Sequence, residues 1–162
     1  MGTPPSPPTP APLWHVTDSL LPLRNPMDDV QAALVGTLKE LLEDDDPDLY
    51  VCPVFDYVPE DAPAPYVVFN SAWMASRNAL RTPITRLWLQ IDVWSTYRGY
   101  AEANRISDQV INRLDHALIL AEGWKTIEIF YEQGHTLRDS DGLHRRVALT
   151  FHSPYVSPYF EP

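Results

Sequence analysis

Between Ile84 and Ser95 the chain reads ITRLWLQIDVWS, and it alternates. Leu87, Leu89, Ile91 and Val93 fall on one side; Arg86, Trp88, Gln90, Asp92 and Trp94 fall on the other. A period of two marks a strand with one buried face. After Ser95 the period changes. Tyr100, Ala103, Ser107, Val110, Ile111 and Leu114 recur at helical spacing, which predicts an amphipathic helix. Thr96–Gly99 makes the corner, and Gly99 permits a sharp turn. This strand–helix unit, running to Leu118, supplies a core but no catalytic group.

The remaining elements arrange themselves around it. Met27–Glu43 is expected to be a helix. Asn25-Pro26 suits its start, Asp28 and Asp29 suit its positive end, and Val30, Leu34, Leu38 and Leu41 form its apolar stripe. The acid run Asp44–Pro47 stops that helix. It lacks the alternating ligands, central Gly and closing Glu of a calcium loop, so it reads as a solvated helix end. Leu49–Cys52 is a short strand candidate. Pro59, Pro63 and Pro65 stiffen the following loop, and Tyr66–Asn70 is β-branched and aromatic, as strands are. Ser71–Pro83, with Trp73, Arg77 and Arg81, reads as a long polar connection that another subunit would order.

After a break at Glu122-Gly123, Thr126–Gln133 is a strand, Leu137–Leu143 a turn centred on Asp141-Gly142, and Arg145–His152 the last strand. The expected class is α/β of the α+β type, in the order α-β-β-β-α-β-β. A mostly antiparallel sheet carries both helices on one face and leaves Trp88 and Trp94 on the other. An uncovered sheet face bearing tryptophans usually meets another protein.

The ends differ in composition. Residues 1–26 hold Pro4, Pro5, Pro7, Pro8, Pro10, Pro12, Pro22 and Pro26, which favour an extended chain without helix. Two readings stand for this segment: a disordered leader, or an arm laying Trp14 and Leu21 on a neighbour. The chain therefore divides into a proline-rich arm (1–26), an α+β domain (27–153) and an aromatic, proline-broken extension (154–162). Its opening residues carry no basic-then-apolar signal pattern, so synthesis in the cytoplasm is expected. No apolar run approaches the roughly 20 residues of a membrane span.

Net charge is −10, from 22 acidic and 12 basic residues, the reverse of a phosphate-gripping footprint. An acidic surface could instead line a passage through which DNA slips without sticking. The single cysteine, Cys52, excludes an internal disulfide and reads as a small buried residue. His144 and His152 are too far apart along a strand to share a metal, and His135 facing His144 across the last hairpin would lack a third ligand. Asp139 and Asp141 beside Arg138 read as turn residues bonding backbone. Arg145-Arg146 reads as a strand-end pair meeting the acidic surface of a neighbour. Glycine-rich phosphate loops, GxSxG and HExxH are lacking. No catalytic, metal or cofactor-binding residues are expected.

Three stretches, together with the first helix, resemble a known family: VFDYVPEDAPAPYVVF (54–69), LQIDVWSTYRGYAEANRI (89–106) and HTLRDSDGLHRRVALTF (135–151). In order and spacing they are similar to the tail-completion, or tail terminator, proteins of long-tailed, siphovirus-like bacteriophages, over roughly residues 28–153. The resemblance implies a structural virion protein and no enzyme. Copies would form a ring, typically a hexamer, on the last ring of tail-tube protein. That ring would stop tube growth and meet the head–tail connector or stopper, while DNA passes its lumen. Subunit packing is expected at Trp88 and Trp94. Further contacts are expected at Arg77, Arg81, Arg138, Asp139, Asp141, Trp14 and Leu21. The alternatives are a head-completion adaptor at the same junction, a small metal-dependent hydrolase built on His135 and His144, and a cytoplasmic binding module whose proline-rich segment is the ligand.

Overall fold

A computed structural model describes residues 25–42, 50–77 and 84–158. The leader with Trp14 and Leu21, the acid run 44–47, Arg81, and the end of the C-terminal extension lie outside the described residues.

Helix α1 spans Met27–Leu42. It begins as the sequence predicts: Met27 N donates to Asn25 Oδ1 at 3.0 Å, which satisfies one of the otherwise unpaired first-turn amides. Its buried stripe is Val30, Leu34, Leu38 and Leu42. The stripe thus keeps the i, i+4 spacing to the end, where Leu42 rather than Leu41 is the fully buried residue. Helix α2 spans Ala101–Leu114 and buries Ala103, Ile106, Ser107, Val110 and Leu114. Gly99, at φ 100°, makes the corner that leads into it.

The strands are β1 (Val54–Phe55), β2 (Tyr66–Ser76), β3 (Thr85–Ser95), β4 (Ala117–Ile119), β5 (Ile127–Arg138) and β6 (Arg145–Val156). They form a sheet in the order β1-β2-β3-β6-β5-β4. Only the β1–β2 pair is parallel; the others are antiparallel. The α+β class and the order of elements are as expected, with β4 added directly after α2. Three local readings are corrected. The first strand lies at Val54–Phe55, not Leu49–Cys52. The expected connection from Ser71 continues β2 as strand to Ser76, because each residue there pairs with β3, ending at Ser76 opposite Thr85. The strand after Glu122-Gly123 runs to Arg138, beyond the expected Gln133, because its far half pairs with β6.

Both helices lie on one side of the sheet. Against them β3 turns Leu87, Leu89, Ile91 and Val93, none more than 1% exposed. Neighbouring strands add Val67 and Phe69 from β2, Val147, Leu149 and Phe151 from β6, and Ile127 and Ile129 from β5. Burying one such side chain contributes roughly 1.5–3 kcal/mol, so this layer dominates stability. Helix α1 touches β1 and β2 near one sheet edge and β4 at the other, so the sheet curls around it. Trp124 Nε1, donating to Asp29 Oδ2 at 2.8 Å, fastens the β4–β5 connection to the first turn of α1.

Candidate functional site

Among the described residues, no helix covers the second side of the sheet. Cross-strand register arranges this side in rows. Tyr66, Trp94, Arg146 and Leu137 form one row; Val68, Asp92, Ala148 and His135 the next. Ser71, Gln90, Thr150 and Gln133 follow, then Trp73, Trp88, His152 and Phe130. Both end rows are aromatic and the middle is polar.

At one end Trp88 stacks on Trp73, centroids 5.9 Å apart and rings 2° from parallel. Phe130 stacks on His152 at 5.6 Å and meets the edge of His116 at 5.0 Å. Such pairs contribute about 0.5–1.5 kcal/mol beyond the area they bury. At the other end Trp94 stacks on Tyr66 at 6.2 Å, the Arg146 guanidinium sits 5.5 Å over the Trp94 ring, and the His144 ring abuts Trp94 at 6.1 Å. Burial, then the negative charges of Asp139 and Asp92, push the Tyr66 phenol above its usual range.

Asp92 sits between these ends and is 2% exposed. Its carboxylate takes Arg146 Nη2 at 2.6 Å, Asn70 Nδ2 at 2.6 Å and Gln90 Nε2 at 3.1 Å. The charge is therefore paired and hydrogen-bonded, the condition under which a buried carboxylate persists. Sequence alternation placed Asp92 on this face but gave no sign that it would be buried there. Its partners come from three other positions on β2, β3 and β6, a constellation that only the register reveals.

The β5–β6 turn uses its acids as expected. Asp141 Oδ1 accepts from Leu143 N at 2.8 Å and His144 N at 3.0 Å, and its other oxygen meets His144 Nδ1. The His144 backbone N–H and then its ring hold the Asp141 carboxyl down to about 2, from 3.8. Asp139 Oδ1 accepts from Ser140 N at 2.7 Å. Asp139, Asp141 and His144 bring three potential ligand atoms within 4.8 Å of one another, an arrangement these turn contacts already account for. His135 pairs with Ala148 and not with His144, so the hairpin does not assemble the metal site weighed from the sequence. Arg145 and Arg146 are engaged within the chain rather than free for a neighbour's acids. Arg145 Nη1 donates to the Gly142, Leu143 and His144 carbonyls, and Arg146 pairs with Asp92.

The expected contact residues fall into two groups. Trp94 lies beside the turn that carries Asp139 and Asp141, with exposed Arg138 at its base. Trp88 lies toward the β2–β3 hairpin, where exposed Arg77 donates its N–H to Ile84 O at 2.7 Å. Trp73, which the sequence reading placed in a loop, is a strand residue of the bare face and 46% exposed. Its signal was the uninterrupted run of non-proline residues after Tyr66. No helix among the described residues is long and apolar enough to cross a membrane.

These features define a small α+β protein whose sheet is sheathed by helices on one side and, among the described residues, bare, aromatic and ion-paired on the other. The family model for tail completion protein gp17 matches residues 29–154, and the chain belongs to that family. It is thus a structural protein of phage-type virions, one that associates with other virion components. A solved chain from the virion of a native gene transfer agent particle shares the fold at TM-score 0.65 and 20% identity, covering 79% of this chain and 98% of that one. A second solved chain is similar at TM-score 0.51 and 13% identity, covering 83% and 98%. Direct comparison with curated proteins gives no match.

Proposed function

We propose that copies of this chain form a closed ring, a hexamer, that ends the tail tube and joins it to the head connector or stopper. The observation that carries this reading is the helix-free sheet side with its two aromatic rows. A large bare face with stacked tryptophans is costly to leave in water and suits a subunit contact. Family membership adds the tail-completion setting. The net charge of −10 fits a lumen that DNA crosses without being held.

In this reading Trp88 and Trp94 pack subunits together. Arg77 and Arg81 of the β2–β3 hairpin, and Arg138, Asp139 and Asp141 of the β5–β6 hairpin, reach neighbouring subunits or rings. The arm 1–26, with Trp14 and Leu21, and the extension 154–162 cross to the tube or connector from the central domain 27–153. The mechanism is geometric and involves no catalysis.

Replacing Trp88 and Trp94 together with Ala tests the proposal. Light scattering is expected to show a loss of oligomer mass while circular dichroism keeps the folded spectrum. An unchanged mass would refute the assigned contact. Cross-links to tube protein support termination, whereas cross-links confined to portal proteins would make the chain a head-completion adaptor instead.

A further inference from the structure

We propose that the ring closes through its sheets, the free edge of β2 in one copy pairing antiparallel with the free edge of β5 in the next. This inference rests on the ring reading and adds an edge-to-edge contact to the face contact at Trp88 and Trp94. Among the described residues, short outer strands leave most of both edges uncovered. β1 covers β2 only at Val67 and Val68, and β4 covers β5 only at Ile127–Ile129. Each inner pairing then has a bulge, between Phe69 and Ser71 on β2 and between Tyr131 and Gln133 on β5. Beyond the bulges, Ser71–Ser76 and Gln133–Arg138 are regular runs of equal length.

Neither run contains proline, lysine or an acid, and the charged side chain they do hold, Arg138, stands at the last position of its run. Nearly all of their residues are exposed, although they lie in strands. The two edges face opposite ways across the sheet. Every neighbour in the order β2-β3-β6-β5 is antiparallel, so β2 and β5 run in opposite directions. A copy rotated about an axis along the strands therefore presents its β2 antiparallel to this copy's β5. A contact between two different edges is head-to-tail, the kind that generates rings.

The backbone also sets the register. Arg77 N donates inward to Ile84 O, and Asp139 N donates inward to His144 O. Antiparallel ladders alternate, so the outward groups belong to Ala72, Met74 and Ser76 on β2 and to Gly134, Thr136 and Arg138 on β5. Pairing Ala72 with Arg138 and Met74 with Thr136 satisfies outward groups on both edges at once and keeps each face continuous. That register sets Trp73 directly opposite Leu137. These side chains are 46% and 43% exposed in the single chain. It also sets Arg77 opposite Gln133, one residue from the Glu132 carboxylate in the bulge.

A cysteine pair tests the register. Opposite residues at this type of ladder position have Cα atoms about 4.5 Å apart, within the span a disulfide bridges, about 4.4–6.8 Å. Full-length protein carrying W73C and L137C in a C52A background is oxidised mildly, both as concentrated protein and in assembled particles. Non-reducing gels are expected to show a ladder of covalent multimers ending at the ring size, absent from either single cysteine variant. Thermal unfolding checks that the variants fold. Multimers seen by light scattering or electron microscopy without a covalent ladder would overturn the edge pairing and leave the ring reading standing. Monomers under every condition, with none of the protein in rings on particles, would overturn both. As a second variant, Met74→Pro removes an outward N–H without touching the β2–β3 ladder. It is expected to abolish the multimer while leaving a folded monomer; multimers that persist would count against this pairing.

Discussion

The two sides of one sheet are held by different physics. On β3, alternate residues Leu87, Leu89, Ile91 and Val93 are sealed under the helices by exclusion of water. Their neighbours Trp88, Gln90 and Trp94 are half-buried with no layer above them among the described residues. There the burial comes from within the sheet itself, through stacked rings and the Asp92 network. The sealed side depends on volume, since a missing methylene leaves a cavity. The bare side depends on direction and partner, since its contacts are ring stacks and hydrogen bonds. One side keeps the chain folded, and the other leaves ring faces and edges available to a neighbour.

The largest expected effect lies on the bare side. Asp92→Ala strands the Arg146 guanidinium and should cost about 3–5 kcal/mol, the penalty for breaking a buried pair. The double change D92L/R146M removes both charges and should recover most of that loss, because the desolvation cost disappears with them. Urea denaturation of the three proteins measures this; equal destabilisation by the single and double variants would show that the network does not act as a pair. On the sealed side, Ile91→Ala should cost about 2–5 kcal/mol by cavity formation, with the oligomer contact unaffected once folding is restored at lower temperature.

Trp88→Ala should cost the monomer about 0.5–1.5 kcal/mol through the lost Trp73 stack in addition to the loss of its half-buried area, and lower the oligomer mass in the same preparation beyond what that destabilisation accounts for. A fall in both by the same proportion would erase the contrast between the sides.

The smallest effect is at the Asp141 turn. Its carboxyl is depressed to about 2 from 3.8, so the turn's stabilisation is present above pH 3.8 and is lost as pH falls toward 2. Asp141→Asn should flatten the pH dependence of the His144 amide signal across that window; a titration unchanged by the substitution would assign the dependence elsewhere.

Much of the fold was legible because its elements repeat with clear periods. The β3 alternation, the Asn25 cap and the Asp141-Gly142 turn rest on local chemistry, and each appears where the pattern put it; both helix stripes do so in the main, with Leu42 sealed in place of Leu41 in α1, and Ile106 sealed while Tyr100 and Ile111 are only partly buried in α2. The second half of β2 was not legible. Ser71–Ser76 has no sealed side beneath it, so burial imposes no alternation, and only pairing with β3 makes it a strand. β4 was hidden for a similar reason: three residues are too few to show a period, and Ala117-Leu118 continued an apolar stretch after α2.

The division has a physical basis. Period, capping and turn chemistry act between residues close in the chain, so the amino-acid order alone settled the class, the element sequence and which side of β3 would be buried. Register acts between residues far apart. It set Asp92 among Asn70, Gln90 and Arg146, stacked Trp73 on Trp88, and carried β2 and β5 past the short strands β1 and β4 that flank them. Those placements follow from how the strands meet, and the three-dimensional fold decided them.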